Sequence, residues 1–414
     1  MECPKTVTIP MAMHIGAPAK PIVKVGDLVQ VGTKIGEADG FVSVPVYSSV
    51  SGKVTKVTDL LMANGKKSAA VVIESDGAMT PADTIAPPVV NNREDLIAAI
   101  RDCGLVGLGG AGFPTHVKFN VEPERIEYLV VNGAECEPYV TSDTITMVQR
   151  GDEMARAIRV ICSILGIKNV IIGIENNKKE AIAAMREMAA SIVETNVSVK
   201  VLPAVYPQGG EKVLVYHTIG RVIGEGQLPI SVGCVVSNCT TLATFGNYLE
   251  TGMPLVEKCV TVDGGAVANP QNVLAPVGAA LSDLFDACGG LTCDPAKLIY
   301  GGPMMGVTVP DASAPIMTNS NAILALTAKE AKLPAITNCI RCGACTNHCP
   351  FGLAPAAISH AYRTDDVDTL KTLSVDTCML CGCCSFVCPA NRPLVQNNKL
   401  AKDLLKEVRA KEGK

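Results

Sequence analysis

Apolar and polar residues alternate along the first 80 residues in short stretches such as Val23-Lys24-Val25, Val29-Gln30-Val31 and Val42-Ser43-Val44, with Gly26-Asp27 and Gly32-Thr33 between them. A period of two broken by turn residues predicts short strands, most clearly over residues 13–75. Beyond the proline-rich link Pro81 to Pro88 the period lengthens. Asn91 and Asn92 supply caps for a helix at Leu96 to Arg101. Residues 151–202 then alternate helix (Asp152 to Leu165), strand (Asn169 to Ile174), helix (Lys178 to Ser191) and strand (Val197 to Leu202), the order of βαβ units on a parallel sheet. Shorter elements follow, with strands at Cys259 to Asp263 and Leu298 to Tyr300 and a helix near Ala280 to Ala287. A mostly polar linker covers Asp311 to Asn321, and a charged amphipathic helix runs from Leu394 to Lys411. The fold class expected is multidomain α/β, divided at 1–80, 90–250, 251–310 and 325–414.

Composition narrows the chemistry. The chain has 414 residues with 36 basic against 40 acidic side chains, which gives no general attraction to nucleic acid. Aromatic residues make up 4% and tryptophan is absent, so an aliphatic core is expected. No apolar run reaches the roughly 20 residues that span a bilayer, and the amino terminus lacks the pattern of a secretory signal, so a soluble or peripheral protein is expected.

The 18 cysteines are the most informative residues. Eight fall in two copies of one spacing, Cys339-x2-Cys342-x2-Cys345-x3-Cys349-Pro350 and Cys378-x2-Cys381-x2-Cys384-x3-Cys388-Pro389. Three close thiolates wrap one face of a [4Fe–4S] cubane, and the fourth of each run reaches the other cluster. Two clusters are therefore expected, one on Cys339, Cys342, Cys345 and Cys388, the other on Cys378, Cys381, Cys384 and Cys349. Cys383 is an extra thiol within the second run. The remaining cysteines are scattered and read as small buried hydrophobes.

Upstream stand four separated motifs: Gly107-Leu-Gly-Gly-Ala-Gly-Phe-Pro-Thr115 with Lys118, Asn132-Gly-Ala-Glu-Cys-Glu-Pro138, Tyr206-Pro-Gln-Gly-Gly-Glu-Lys212 and Asn238-Cys-Thr-Thr-Leu242. In order and wording they resemble the flavin- and NADH-binding subunit of respiratory complex I. The resemblance implies that Gly107, Gly109 and Gly110 pack against noncovalent FMN, with Lys118 near its ring or phosphate. It implies that Asn132, Glu135 and Glu137 line the pocket, Glu137 toward the nicotinamide nucleotide, with Glu135 and Glu137 as the catalytic pair. Phe113 would stack on NAD(H), Tyr206, Gly210 and Glu211 would close the other wall, and Asn238 and Thr241 would meet the phosphate or ribityl chain.

Residues 1–80 resemble the biotinyl/lipoyl-like barrel-sandwich hybrid. The turn Ala38-Asp39-Gly40-Phe41, where such modules carry an acylated lysine, has none. A structural or docking module is therefore expected. Residues 255–307 resemble the soluble-ligand-binding β-grasp fold, and the last segment a two-cluster ferredoxin-like helical domain. In whole-chain order the sequence resembles the RnfC family, the C subunits of the Rnf complex, ion-translocating ferredoxin:NAD oxidoreductases. That resemblance implies a place at the cytoplasmic face of the membrane. It implies partners in NAD(H), a ferredoxin-like electron-carrier subunit, integral membrane subunits and, indirectly, ferredoxin. The alternatives are the cobalamin reductase of metabolic microcompartments, which shares the core and clusters, and a scaffold subunit without a working nucleotide site. Among the histidines, His116 sits in the glycine loop, while His217, His348 and His360 lack metal-ligand spacing.

Overall fold

The computed structural model describes residues 1–412. The amino-terminal module is built from seven strands, β1 (Thr6–Pro10), β2 (Lys20–Pro21), β3 (Leu28–Val29), β4 (Lys34–Glu37), β5 (Val46–Tyr47), β6 (Gly52–Leu61) and β7 (Lys67–Ser75). They form two antiparallel sheets, β1-β7-β6-β3 and β2-β4-β5. The alternation read in the sequence puts Val7, Ile9, Ile35, Val46, Val54, Val71 and Ile73 in one aliphatic core.

The second unit holds α1 (Arg93–Asp102), α2 (Thr115–Phe119), β8 (Tyr128–Asn132), α3 (Ser142–Gln149), α4 (Gly151–Leu165), β9 (Asn169–Glu175), α5 (Lys179–Ala190), β10 (Asn196–Leu202), α6 (Glu211–Ile219), β11 (Cys234–Asn238) and α7 (Cys239–Thr251). Its sheet is wholly parallel, in the order β10-β9-β8-β11. Both faces are covered, as a parallel sheet requires. Leu129, Val131 and Val235 join a large core with α1, α4, α5 and α7. The intervening Val130, Cys234 and Val236 pack on the other face against Leu214 and Val215 of α6. The chain leaves β8 toward β9 on one side and returns with β11 on the other. That reversal puts a topological switch point at the carboxyl ends of β8 and β11, the place where open α/β sheets form the crevice that binds ligands.

The third unit comprises β12 (Glu257–Asp263), β13 (Gln271–Pro276), α8 (Leu281–Ala287), β14 (Lys297–Tyr300), β15 (Val307–Val309) and β16 (Ala322–Leu326), in a mixed sheet ordered β13-β12-β16-β14-β15. The sheet runs past residue 310, the end expected for this unit. After the polar stretch 311–321 the chain returns as β16, fully buried and parallel to β12. The last unit is helical, with α9 (Ala344–Asn347), α10 (Pro355–Arg363), α11 (Val367–Thr372), α12 (Cys383–Phe386) and α13 (Leu394–Lys411) around a small core of Leu353, Ile358, Leu370, Val375, Ala401 and Leu405. No helix among the described residues is long and apolar enough to cross a membrane.

The units interlock. Thr8 N–H of β1 donates to Gly278 O of the third unit (2.8 Å), and Tyr47 Oη donates to Asp102 O at the end of α1 (2.5 Å). The Gly40–Phe41 turn lies on the second unit, where Phe41 O accepts a hydrogen bond from His116 Nε2 at 2.9 Å.

Candidate functional site

Asn132 and Asn238 end β8 and β11 and are register partners, so they stand side by side at the mouth of the crevice. Asn238 caps α7, its Oδ1 accepting from Thr241 N–H (3.2 Å) while its Nδ2 donates to Asp143 Oδ2 (2.7 Å). Asn132 Nδ2 donates to Gly209 O (2.9 Å), which ties β8 to the loop before α6.

The glycine-rich loop between α1 and α2 lies over this mouth. A Cβ at Gly109 would come within 2.4 Å of Asn238 Nδ2, and one at Gly110 would meet open space. Leu108 N–H donates to Thr241 Oγ1 (3.0 Å) and Leu108 O accepts from Lys258 Nζ of β12 (2.5 Å). Gly110 O accepts from Asn319 Nδ2 (3.3 Å), and Gly112 O from Ile15 N–H (3.0 Å). Thus three units grip one loop. The N–H groups of Gly109, Gly110 and Ala111 have no partner among the described residues, which leaves a row of donors of the kind that binds phosphate or carbonyl oxygen. Phe113, half-buried, closes the loop by accepting from Gly107 N–H at its carbonyl (2.9 Å). Lys118 Nζ donates to Val236 O (3.3 Å) and lies 3.8 Å from Glu211 Oε2, so one cation and one carboxylate flank the crevice.

Glu137 and Tyr206 form the opposite rim. The Glu137 carboxylate accepts from Met304 N–H (3.0 Å) and Met305 N–H (2.8 Å) in the β14–β15 turn, with Tyr206 Oη 3.4 Å away. A Cβ at Gly302 would lie 2.2 Å from Glu137 Oε2, so the close approach depends on glycine there. Burial raises the Glu137 pKa, and the two backbone donors oppose that rise. Tyr206 Oη also donates to Cys381 O (2.7 Å), and a Cβ at Gly210 would reach Met379 Cε at 2.4 Å. The second cysteine run therefore rests directly on the crevice rim.

Glu135, expected to line the pocket, turns inward instead. Its carboxylate accepts from Asp143 N–H (2.8 Å), Thr144 N–H (3.1 Å) and Thr144 Oγ1 (2.6 Å) at the start of α3 and pairs with Lys178 at 3.5 Å. The physical reason is that α3 begins seven residues later with unpaired N–H groups facing this buried carboxylate. Burial raises its pKa, with Asp143 adding to the rise and Thr144 and Lys178 opposing it.

Glu175, at the carboxyl end of β9, is 3% exposed, and its Oε2 has no partner. Burial lifts its pKa to about 7, against the pull of Lys178 and with a further push from Glu135. The folded state thus holds this proton more tightly than the unfolded chain, so stability falls as pH rises from the ordinary carboxyl range through 7. Glu175→Gln is expected to stabilise the protein at pH 8 by about 2 kcal/mol and to flatten the pH dependence between the two pKa values, measured by denaturant titration. An unchanged pH profile would refute the assignment.

In the second cysteine run, Cys381 and Cys384 are buried, whereas Cys339 and Cys342 of the first run are exposed. Burial pushes Cys384 up to about 12, with Cys378, Cys381 and Cys349 adding to it, so Cys349 of the first run stands with the second. Asn398 of α13, fully buried, donates from Nδ2 to Cys378 Sγ (3.5 Å), and Lys402 Nζ holds Cys378 O (2.6 Å). Among the described residues no three metal-binding side chains gather around a single point, and cubane thiolates bind separate irons.

His116 is buried under the amino-terminal module and faces Phe41 rather than the crevice. His217 Nδ1 pairs with Gln208 Oε1 (2.8 Å). The motifs in the sequence do not include Asp143, Lys178, Lys258, Asn319 or Asn398. For Lys258 a signal exists: it shares strand parity with Val260 and Val262 and so falls on the buried face.

Residues 1–78 match the RnfC barrel sandwich hybrid domain, 100–246 the Nuo51 FMN-binding domain, 259–308 the SLBB domain and 335–392 the 4Fe-4S dicluster domain. The chain is 41% identical over 407 residues, 96% of its length and 90% of the relative's, to the C subunit of the Na(+)-translocating ferredoxin:NAD(+) oxidoreductase complex of Acetobacterium woodii. It is 40% identical over 361 residues, 86% of its length and 78% of the relative's, to the C subunit of the proton-translocating complex of Clostridium ljungdahlii. To the C subunit of the ion-translocating oxidoreductase complex of Rhodobacter capsulatus it is 37% identical over 416 residues, 98% of its length and 79% of the relative's. An NAD+-reducing [NiFe]-hydrogenase in the H2-reduced state shares the fold with a TM-score of 0.53 at 16% identity, over 78% of this chain and 67% of that one. With this similarity running through all four units, the chain belongs to the RnfC family, the C subunits of the ion-translocating ferredoxin:NAD+ oxidoreductase, or Rnf, complexes.

Proposed function

We propose that this protein exchanges hydride between NAD(H) and a noncovalent FMN in the β8–β11 crevice, and passes electrons singly through two [4Fe–4S] clusters. Membrane-embedded partners couple that flow to ion movement. The observation that carries the reading is the Tyr206 bridge. One side chain joins the crevice rim to the backbone of Cys381, so a nucleotide site and a cluster site share a wall. FMN, when bound, supplies the conversion between two-electron and one-electron transfer.

In this reading the open N–H groups of Gly109 and Gly110, with Gly107 shaping the loop, receive the flavin together with Asn132, Asn238 and Thr241. Lys118 offers positive charge to it. Phe113 offers a face for stacking by NAD(H), and Tyr206, Gly210 and Glu211 bound the opposite wall. Glu137 acts beside the nicotinamide nucleotide while its backbone contacts hold the β14–β15 turn, and Glu135 acts from beneath by setting α3. Cys378, Cys381, Cys384 and Cys349 hold the cluster next to the crevice. Cys339, Cys342, Cys345 and Cys388 hold the outer one, whose exposed Cys339 and Cys342 suit electron exchange with a ferredoxin-like partner subunit. The place of the protein is the cytoplasmic face of the membrane, beside integral membrane subunits. Residues 257–326 read as a β-grasp module, supported by the hairpin, helix and parallel pairing of β12 with β16.

The test is anaerobic purification after cluster reconstitution. One noncovalent FMN per chain, bleached by NADH, is expected, and Tyr206→Phe is expected to keep the flavin while slowing cluster reduction. A chain that carries both clusters yet neither binds FMN nor accepts electrons from NADH would be a scaffold and would overturn the proposal.

A further inference from the structure

The glycine-rich loop is anchored by residues that no motif contains. Lys258 is 3% exposed, on the buried face of β12, and its ammonium meets Leu108 O at 2.5 Å. Asn319, on the stretch leading into β16, donates to Gly110 O at 3.3 Å. A trans peptide unit is planar, with its C=O and its N–H pointing opposite ways. Fixing Leu108 O therefore aims Gly109 N–H away from the third unit, and fixing Gly110 O does the same for Ala111 N–H. Both of these N–H groups are without partners among the described residues.

We infer that Lys258 and Asn319 are positioning residues for the flavin: the third unit reaches under the loop, holds two carbonyls, and so preforms a pair of outward donors for FMN oxygen atoms. The inference rests on the FMN reading above. A buried ammonium is costly to desolvate, and a shorter neutral side chain on β12 would leave Leu108 O without its partner. The groups facing the Lys258 ammonium are Asp143 of α3, Glu135 ahead of it, Cys239 of α7 and Cys259 on β12 itself. Burial lowers its pKa to about 8, and Asp143 opposes that fall.

The test is titration of the full-length, cluster-reconstituted chain with FMN, read by quenching of flavin fluorescence. Lys258→Met is expected to weaken FMN binding by about 10- to 100-fold and Asn319→Ala by about 2- to 10-fold, the ranges for losing a charged and a neutral hydrogen bond. Wild-type affinity is expected to fall as pH rises through about 8, where the ammonium discharges, while Lys258→Met shows no such step. Near-ultraviolet circular dichroism of the flavin-free variants reports folding. A folded Lys258→Met that binds FMN within about two-fold of wild type overturns the inference. Should that variant not fold, unchanged affinity in Asn319→Ala overturns it. Failure of the wild-type chain to bind FMN would instead strike at the proposed function itself.

Discussion

Under the proposed ligand sets, replacing Cys349 with serine is expected to abolish the cluster assigned to Cys378, Cys381 and Cys384 while leaving the one assigned to Cys339, Cys342 and Cys345 in place. Iron and acid-labile sulfide should fall by half, although the substitution lies in the first run. The grounds are spatial: Cys349 stands near enough to Cys381 and Cys384 to add to the rise of both. Because the second run rests on the crevice rim through Tyr206 and Gly210, its loss should cut the outer cluster off from NADH. Direct reduction of a flavin-accepting dye should persist. Asn398→Leu tells the clusters apart, since it deletes the amide donor to Cys378 Sγ and shifts the potential of the cluster Cys378 holds. If the shift produced by Asn398→Leu is still measurable in the Cys349→Ser background, the cross-ligand assignment is wrong.

Glu135→Ala is expected to destabilise the folded chain by about 3 kcal/mol, because it takes from the mostly buried Lys178 its ion-pair partner and leaves the field of Glu175 to offset the charge. It also strips acceptors from Asp143 N–H and from both donors of Thr144. Glu135→Gln keeps one oxygen and the shape of the side chain, so it should cost about 1–2 kcal/mol. Both effects are measured by denaturant unfolding beside NADH oxidation by the fraction that remains folded. A residue acting from beneath lowers stability in step with the hydrogen bonds it no longer makes, while folded molecules keep their turnover. Full stability with lost turnover in Glu135→Gln would return this carboxylate to the reacting centre.

Much of the architecture is legible because its periods are clean. The helices and strands between residues 151 and 202 and the helix Leu394–Lys411 lie where the apolar spacing puts them, within a residue or two. The second half of the parallel sheet is not. Helix α6 carries apolar residues around its circumference, α7 is rich in threonine, and β11 is five residues long with a cysteine and an asparagine at its ends, so none presents a period. Strand β16 is an unbroken apolar run behind a polar stretch, and only its place between β12 and β14 gives it meaning. In the site, motif wording locates the crevice residues but does not separate Glu137 on its rim from Glu135 under it. The difference is set by α3, whose start at Ser142 has no strong period. Lys258 escapes for a narrower reason: a strand begun at Cys259 leaves out the residue whose parity marks it as buried.

The clasp between His116 and Phe41 bears on how this chain handles its cargo. In modules of the lipoyl type the equivalent turn serves as a travelling arm, with a long modified side chain that shuttles between sites. Here the turn has no lysine to modify and is latched to the second unit by the imidazole at 2.9 Å. A turn held in this way is a strut rather than an arm, and under the proposed function electrons then cross set gaps between stationary centres, at a speed that depends on how closely the units are bolted together.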